Sequence, residues 1–92
     1  MSNKTRWHIL FSGKVQHVGF RYTAYYLAKG LYLTGWAENL DDGRVALEIQ
    51  GQASFLRKFV LRLKSQPHIH ITKMEINEVP VIEWERKFEV RG

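Results

Sequence analysis

The chain has 92 residues, a length that fits one small domain with one core, and its 45% hydrophobic and 25% charged residues are typical of a globular protein. It contains no cysteine, which excludes disulfide frameworks, thiolate zinc sites and the cysteine-dependent phosphatases. The 14 Lys and Arg against 9 Asp and Glu give a net charge of +5, which favours acidic partners or phosphorylated substrates without identifying a nucleic-acid binder.

The first residues, MSNKTRWHIL, contain no long apolar run followed by small residues. No other stretch approaches the roughly 20 apolar residues of a membrane span. We therefore expect a cytoplasmic protein that makes no use of a membrane and consists of a single domain over residues 1–92.

The first half of the chain predicts a strand, a loop and a helix. In residues 6–12 apolar and polar residues alternate, which predicts a strand with one buried face. From Arg21 onward apolar residues recur at helical spacing, at Ala24, Leu27, Ala28 and Leu31. Gly30 suits the position just past the end of a helix, although the apolar spacing extends to Leu31.

The middle of the chain predicts a hairpin and a second helix. LTGWAEN and RVALEIQG have the pattern of strands, and Asp42 and Gly43 between them tolerate the positive φ of a tight turn. After Gly51, apolar residues again follow helical spacing, at Leu56, Phe59, Val60 and Leu63. Pro67 ends this second helix.

The last third predicts two further strands. HITKMEINEV places His70, Thr72, Met74 and Ile76 on one face, and KFEVR forms a short closing strand. The element order predicts an α+β fold of the ferredoxin-like βαββαβ type, an antiparallel sheet with two helices on one face and a short extra C-terminal strand. Many functions share this fold, so it does not name one.

The loop GKVQHVGFR has the features of an anion site. Gly13 allows the chain to leave the strand, Gly19 allows backbone to approach a ligand, and successive N–H groups offer donors to phosphate oxygens. Arg21 adds a planar, permanently charged fork. The loop lacks the Ser or Thr after Lys of a Walker motif, and on its own it is more typical of a plain strand-to-helix turn that carries an exposed arginine.

Two segments together resemble the motifs of the acylphosphatase family. GKVQHVGFR is similar to G-x-V-Q-G-V-x-F-R, and GWAENLDDGRVALEIQG is similar to G-[aromatic]-[small]-x-N-x-x-x-G-x-V-x-x-x-x-x-G. Both segments occur at family spacing between Gly13 and Gly51. The resemblance implies the ferredoxin-like fold and hydrolysis of acyl phosphates to a carboxylate and inorganic phosphate, without a metal or other cofactor.

The resemblance also implies the site. It assigns phosphate binding to Arg21 and to the loop amides, those of Gln16, His17, Val18, Gly19, Phe20 and Arg21. It assigns to Asn39 the orientation of the attacking water, although Asn39 alone would be typical of a strand end before a hairpin. The assignment is chemically sensible, because the amide carbonyl can accept a water proton in a hydrogen bond and thereby direct the water's lone pair at phosphorus. An acyl phosphate leaves as a weakly basic carboxylate, so no strong general base is required.

Three residues depart from the family motifs. His17 replaces a glycine, which costs on the order of 1 kcal/mol if the backbone there needs positive φ; a sharper alternative is that protonated His17 attracts the anionic substrate. Tyr32 also replaces a glycine, so the end of the first helix is expected to be either strained or rearranged. Glu38 would repel the substrate only if it faced the site.

The expected partner is a small-molecule acyl phosphate, with inorganic phosphate or sulfate able to occupy the loop, and the expected state is a monomer. A domain that binds RNA or a phosphorylated partner is the first alternative; because RWHILFS and RVALEIQ lack the exposed aromatics of RNA-binding sheets, no nucleic-acid partner is predicted. An acylphosphatase-like domain of a larger carbamoyl-transfer protein is the second, and the length of the chain favours a stand-alone enzyme. His68 and His70 are too few to indicate a metal site.

Overall fold

The computed structural model describes residues 3–92, and these residues form five strands and two helices. The elements in chain order are β1 (Lys4–Lys14), α1 (Phe20–Gly30), β2 (Thr34–Asn39), β3 (Val45–Gln52), α2 (Ala53–Lys64), β4 (His70–Val79) and β5 (Phe88–Arg91). The predicted ferredoxin-like order with a short additional C-terminal strand is confirmed.

The strands form one sheet in the order β4-β1-β3-β2-β5. The pairings among β1 to β4 are antiparallel, as predicted, whereas β5 pairs parallel with β2 and makes the sheet mixed. The parallel pairing follows from the path of the chain: β4 and β5 lie at opposite edges, and residues 80–87, which we call the crossing segment, carry the chain across the sheet between them.

Both helices pack on one face of the sheet and form the core with it. Alternate residues of the two central strands are fully buried there, among them Ile9, Phe11, Leu47 and Ile49. The helices contribute the apolar residues that the spacing predicted, including Ala24, Ala28, Leu56, Phe59 and Leu63. The core therefore holds the end of β1 and the start of α1 in fixed positions, and the loop between them carries the candidate site.

The prediction that one face of β4 carries His70, Thr72, Met74 and Ile76 is wrong for the first two residues. Ser12 pairs with Lys73 and Gly13 pairs with Ile71, so Thr72 is an extra residue and the strand bulges. The extra residue changes which face of the sheet the side chains before it occupy. Ile71 therefore packs against the core, and His70 and Thr72 are exposed. Gly13 has a φ of 121°, and a Cβ there would collide with the carbonyl oxygen of His70.

A buried arginine holds the crossing segment by hydrogen bonds against the face of the sheet that the helices do not cover. Arg6 is 0% exposed, and its Nε donates to Glu48 Oε1 over 2.6 Å while its Nη1 donates to Glu85 Oε1 over 2.8 Å. Gln50 adds two 2.8 Å bonds, donating to the Ile82 carbonyl and accepting from the Ile82 N–H. The crossing segment thus supplies the second of the two carboxylates that pair with the buried Arg6.

The network should make stability sensitive to acid through Glu48. Burial by itself would raise the pKa of Glu48, but hydrogen bonds from Arg6 and His8 outweigh it and hold the pKa below its ordinary 4.5. A lowered carboxyl pKa contributes stability that is present above the unfolded value and is lost as pH falls through the folded one. We expect Glu48→Gln to lower the free energy of unfolding by about 2 kcal/mol at neutral pH and to flatten its decline in acid.

Urea unfolding from about pH 7 down to about pH 3 measures this effect. Glu78→Gln, an exposed change on β4, is the matched control and should leave both the stability and its acid slope unchanged. An unchanged acid slope in Glu48→Gln would show that Glu48 does not carry the effect.

Candidate active site

The loop between β1 and α1 ends in a helix start whose donors are free of side-chain caps. Gly19 is the capping residue, with φ 76° and ψ 19°, and it makes no side-chain capping hydrogen bond. The first turn of α1 contains no acidic residue. The first N–H groups of a helix lack intrahelical partners and lie at the positive end of the helix dipole, so this end of α1 favours an anion.

A shallow cavity of ≈ 360 Å³ lies against this helix start. The residues that line it come from the loop, α1, the end of β2 and the residue after β5: Val15, His17, Gly19, Phe20, Arg21, Tyr22, Asn39 and Gly92. Arg21 and Asn39 therefore face the same cavity, although they belong to separate elements. The fold brings together a guanidinium, a helix start and a carboxamide.

Five of the seven residues assigned to the site line this cavity, namely His17, Gly19, Phe20, Arg21 and Asn39. Gln16 and Val18 are not among its lining residues. The side chain of Gln16 is directed to the hairpin, and that of Val18 packs against the core.

Gln16 attaches the loop to the turn between β2 and β3. Its Nε2 donates to the Leu40 carbonyl over 2.7 Å and to the Arg44 carbonyl over 2.9 Å. Leu40 follows Asn39 directly, and its N–H donates to the same Arg44 carbonyl, which closes the turn. The side chain of Gln16 thus fixes the position of Asn39 relative to the phosphate-binding loop.

Arg21 is held from the far side by β5. Its Nη1 donates a short hydrogen bond to the backbone carbonyl of Arg91, and Gly92 next to it lines the cavity. Sequence reasoning missed this contribution of β5. The KFEVR pattern indicated a strand, but it did not indicate that this strand is parallel to β2. In that pairing Arg91 lies opposite Glu38, and this brings Arg91 beside Asn39.

Comparison with known protein families agrees with the motifs. The model of the acylphosphatase family matches residues 7–90. The chain belongs to the acylphosphatase family. That family is one of enzymes.

Individual acylphosphatases extend this match. A relative named acylphosphatase from Clostridium perfringens is 53% identical over 58 residues, which are 63% of this chain and 65% of that protein. The chain thus spans slightly less than two thirds of that relative. An acylphosphatase from Clostridium beijerinckii is 36% identical over 94% of this chain and 97% of its own. The crystal structure of acylphosphatase from Bacillus subtilis superposes with a TM-score of 0.86 at 33% identity, covering 94% and 97% of the two chains.

The three residues that depart from the acylphosphatase motifs differ in backbone conformation and in position relative to the cavity. His17 has a φ of 62° and Tyr32 a φ of 56°, so both residues adopt the left-handed conformation in which a side chain is strained. Glu38 alternates with Asn39 along β2 and is not one of the residues that line the cavity. Its carboxylate therefore lies on the face of the strand where it does not oppose a phosphate.

Two other features bear on the acylphosphatase site. Within residues 3–92 no group of three or more His, Cys, Asp or Glu side chains is arranged to hold a metal ion. In the same part of the chain, neither helix is long and apolar enough to cross a membrane.

Proposed function

We propose that the protein hydrolyses acyl phosphates to a carboxylate and inorganic phosphate by in-line attack of a water molecule. The observation that carries this proposal is the convergence of Arg21, the start of α1 and Asn39 on one cavity. Family membership supports the reaction, and the convergence supports the role of each group.

Phosphate binding would use the loop and Arg21 together. The backbone N–H groups of residues 16–21 would donate to the phosphate oxygens, helped by the positive end of the helix dipole. The guanidinium of Arg21, anchored through Nη1 to the Arg91 carbonyl, would supply the remaining donors and the fixed positive charge. These groups stabilise the negative charge spread over the phosphoryl oxygens during transfer, which is the main task of a phosphoryl-transfer site.

The attacking water would be held by Asn39. Its carboxamide oxygen can accept a hydrogen bond from water and leave a lone pair of that water directed at phosphorus. No acidic side chain is among the described residues that line the cavity, which suits a leaving group that departs as a carboxylate and needs no proton. The positive charge comes from Arg21 and the amides, so the proposed reaction uses no metal.

Hydrolysis of acetyl phosphate in the presence of EDTA tests the proposal. We expect turnover that EDTA does not change and that inorganic phosphate inhibits competitively, because product and substrate share the loop. The same assay with Arg57→Ala, an exposed change on α2, controls for the general effect of removing a positive charge. Absence of turnover, or activity restored only by a divalent metal, would overturn the proposal. The small-molecule substrate class, the monomeric state and the cytoplasmic location stay predictions.

Relief of strain at His17 provides a test of the loop itself. We expect His17→Gly to keep or raise hydrolytic activity and to raise the free energy of unfolding by up to about 1 kcal/mol, since glycine adopts positive φ without a Cβ penalty. Part of that gain is offset by the greater freedom of glycine in the unfolded chain. Activity assays and urea unfolding measure the two effects.

His17→Ala is the matched control, because it removes the imidazole and keeps the strained backbone. It should be as active as the unmodified protein without the gain in stability. A large loss of activity in both variants would instead show that the imidazole attracts the anionic substrate.

A further inference from the structure

A second cavity lies on the face of the sheet opposite the helices, beside the crossing segment. It measures ≈ 350 Å³, and the residues that line it include Trp36, Trp84, Glu85, Arg86, Lys87 and Arg91. The hydrolytic mechanism uses none of these side chains. The volume lies within the roughly 300–1,000 Å³ of small-molecule sites.

The cavity has two tryptophans in its wall. Trp84 is 77% exposed, whereas most large apolar side chains of this protein are buried. Trp36 lies under the guanidinium of Arg91, whose Cζ is 4.6 Å from the ring centroid, and its edge faces His8. An aromatic face at the border of a cavity offers a stacking surface for another planar ring, and the exposed ring of Trp84 provides one.

The charges around the cavity are not balanced. Glu85 is occupied by Arg6 and by the Thr34 hydroxyl, so the buried part of the wall is already paired. In the part of the chain that the structure describes, Arg86 and Lys87 have no carboxylate partner, and Arg86 donates only to the Glu83 carbonyl. Two exposed cations beside two tryptophans favour a ligand that is both planar and negatively charged.

We propose that this cavity binds a planar aromatic anion of the nucleoside monophosphate class. The base stacks on the exposed ring of Trp84, and the phosphate binds Arg86 and Lys87. RWHILFS and RVALEIQ lack the aromatic pattern of RNA-binding sheets, which led to the prediction of no nucleic-acid partner. Trp84, Arg86 and Lys87 lie in the crossing segment, outside those two strands. The ligand is therefore either a free nucleotide or the end of a single strand, which offer the same base and phosphate.

Titration with adenosine monophosphate, followed by NMR, tests the site. The chain has three tryptophans, and we expect the indole N–H signals of Trp84 and Trp36 to shift while that of Trp7 stays in place. Inorganic phosphate alone should shift the loop amides of residues 16–21 and leave these indoles unmoved, so the outcome at the second cavity is separate from the outcome at the loop. Adenosine without phosphate should bind more weakly than the nucleotide.

Two variants identify the contacts. Trp84→Ala should weaken adenosine monophosphate binding about tenfold, the usual effect of losing one stacking partner. Arg86→Gln with Lys87→Gln should weaken it by a similar factor and reduce its salt dependence. The double change Arg57→Gln and Lys64→Gln removes the same charge from α2 and should have no effect. All these positions are exposed, so the variants should fold.

A short oligoadenylate distinguishes the two sources of the ligand. Much tighter binding of the oligonucleotide than of the mononucleotide identifies a nucleic-acid strand, and equal affinity identifies a free nucleotide. The proposal is overturned if adenosine monophosphate leaves both indoles unmoved, if Trp84→Ala binds it normally, or if an acidic peptide binds the cavity and the nucleotide does not.

Discussion

Asn39→Ala is expected to lower the kcat for acyl phosphate hydrolysis by about a hundredfold or more while the affinity for inorganic phosphate stays nearly unchanged. The reason is that Asn39 would bind the attacking water, whereas the loop and Arg21 would bind the phosphate. When the attacking water is no longer oriented, the rate falls on the order of a hundredfold, while ground-state binding is not weakened. Steady-state kinetics give kcat, and competitive inhibition by phosphate gives the affinity.

Two neighbouring changes sharpen this result. Glu38→Gln alters the adjacent residue, which does not line the cavity, and should leave kcat unchanged. Asn39→Asp keeps the shape of the side chain but adds a negative charge, so it should weaken phosphate binding as well as turnover. If Asn39→Ala hydrolyses acyl phosphate at the normal rate, the water is oriented by another group.

Arg21→Ala is expected to lower kcat/KM about a thousandfold and to weaken inhibition by phosphate at the same time. A guanidinium that neutralises the transferred phosphoryl group typically contributes at least this much. Unlike Asn39, Arg21 would contact the phosphate both before and during the reaction, so substrate binding and turnover fall together. The same assays of kcat, KM and phosphate inhibition measure the effect.

Arg21→Lys separates charge from geometry. Lysine keeps the positive charge but lacks the planar fork that can hold the Arg91 carbonyl and the phosphate together, so it should recover only a small part of the activity. Urea unfolding of both variants shows how much stability the lost bond to β5 removes. Full activity in Arg21→Lys would mean that a positive charge alone is sufficient; normal phosphate inhibition in Arg21→Ala would contradict its role in binding.

The sequence predicted those parts of the molecule that depend on local pattern. Apolar spacing located both helices and the buried face of the central strands, because a helix and a strand repeat with different periods. The two motifs predicted that Arg21 and Asn39 share a site, and both residues line one cavity, while their roles stay predictions. Each of these inferences needed only residues close together in the chain, or a known family spacing.

The features that escaped prediction depend on contacts between distant residues. Arg6 occupies a polar position of a strand for which only one buried face was predicted. It is buried because the crossing segment returns over it with Glu85. The bulge at Thr72 depends on how β4 aligns with Gly13, and no pattern within β4 reveals an alignment with another strand. The direction of β5 likewise depends on the edge of the sheet that the chain reaches.

The hydrogen bond from Arg21 to the carbonyl of Arg91 has a consequence for the order in which the protein matures during translation. A ribosome releases the loop and α1 early, and local elements can begin to fold while synthesis continues. The partner of Arg21 and the wall next to Asn39 emerge only with β5, after every other strand and both helices. A nascent chain that has already assembled most of its sheet would therefore still lack the hydrogen bond that anchors Arg21 to β5. Phosphate binding would be among the last properties that the chain acquires.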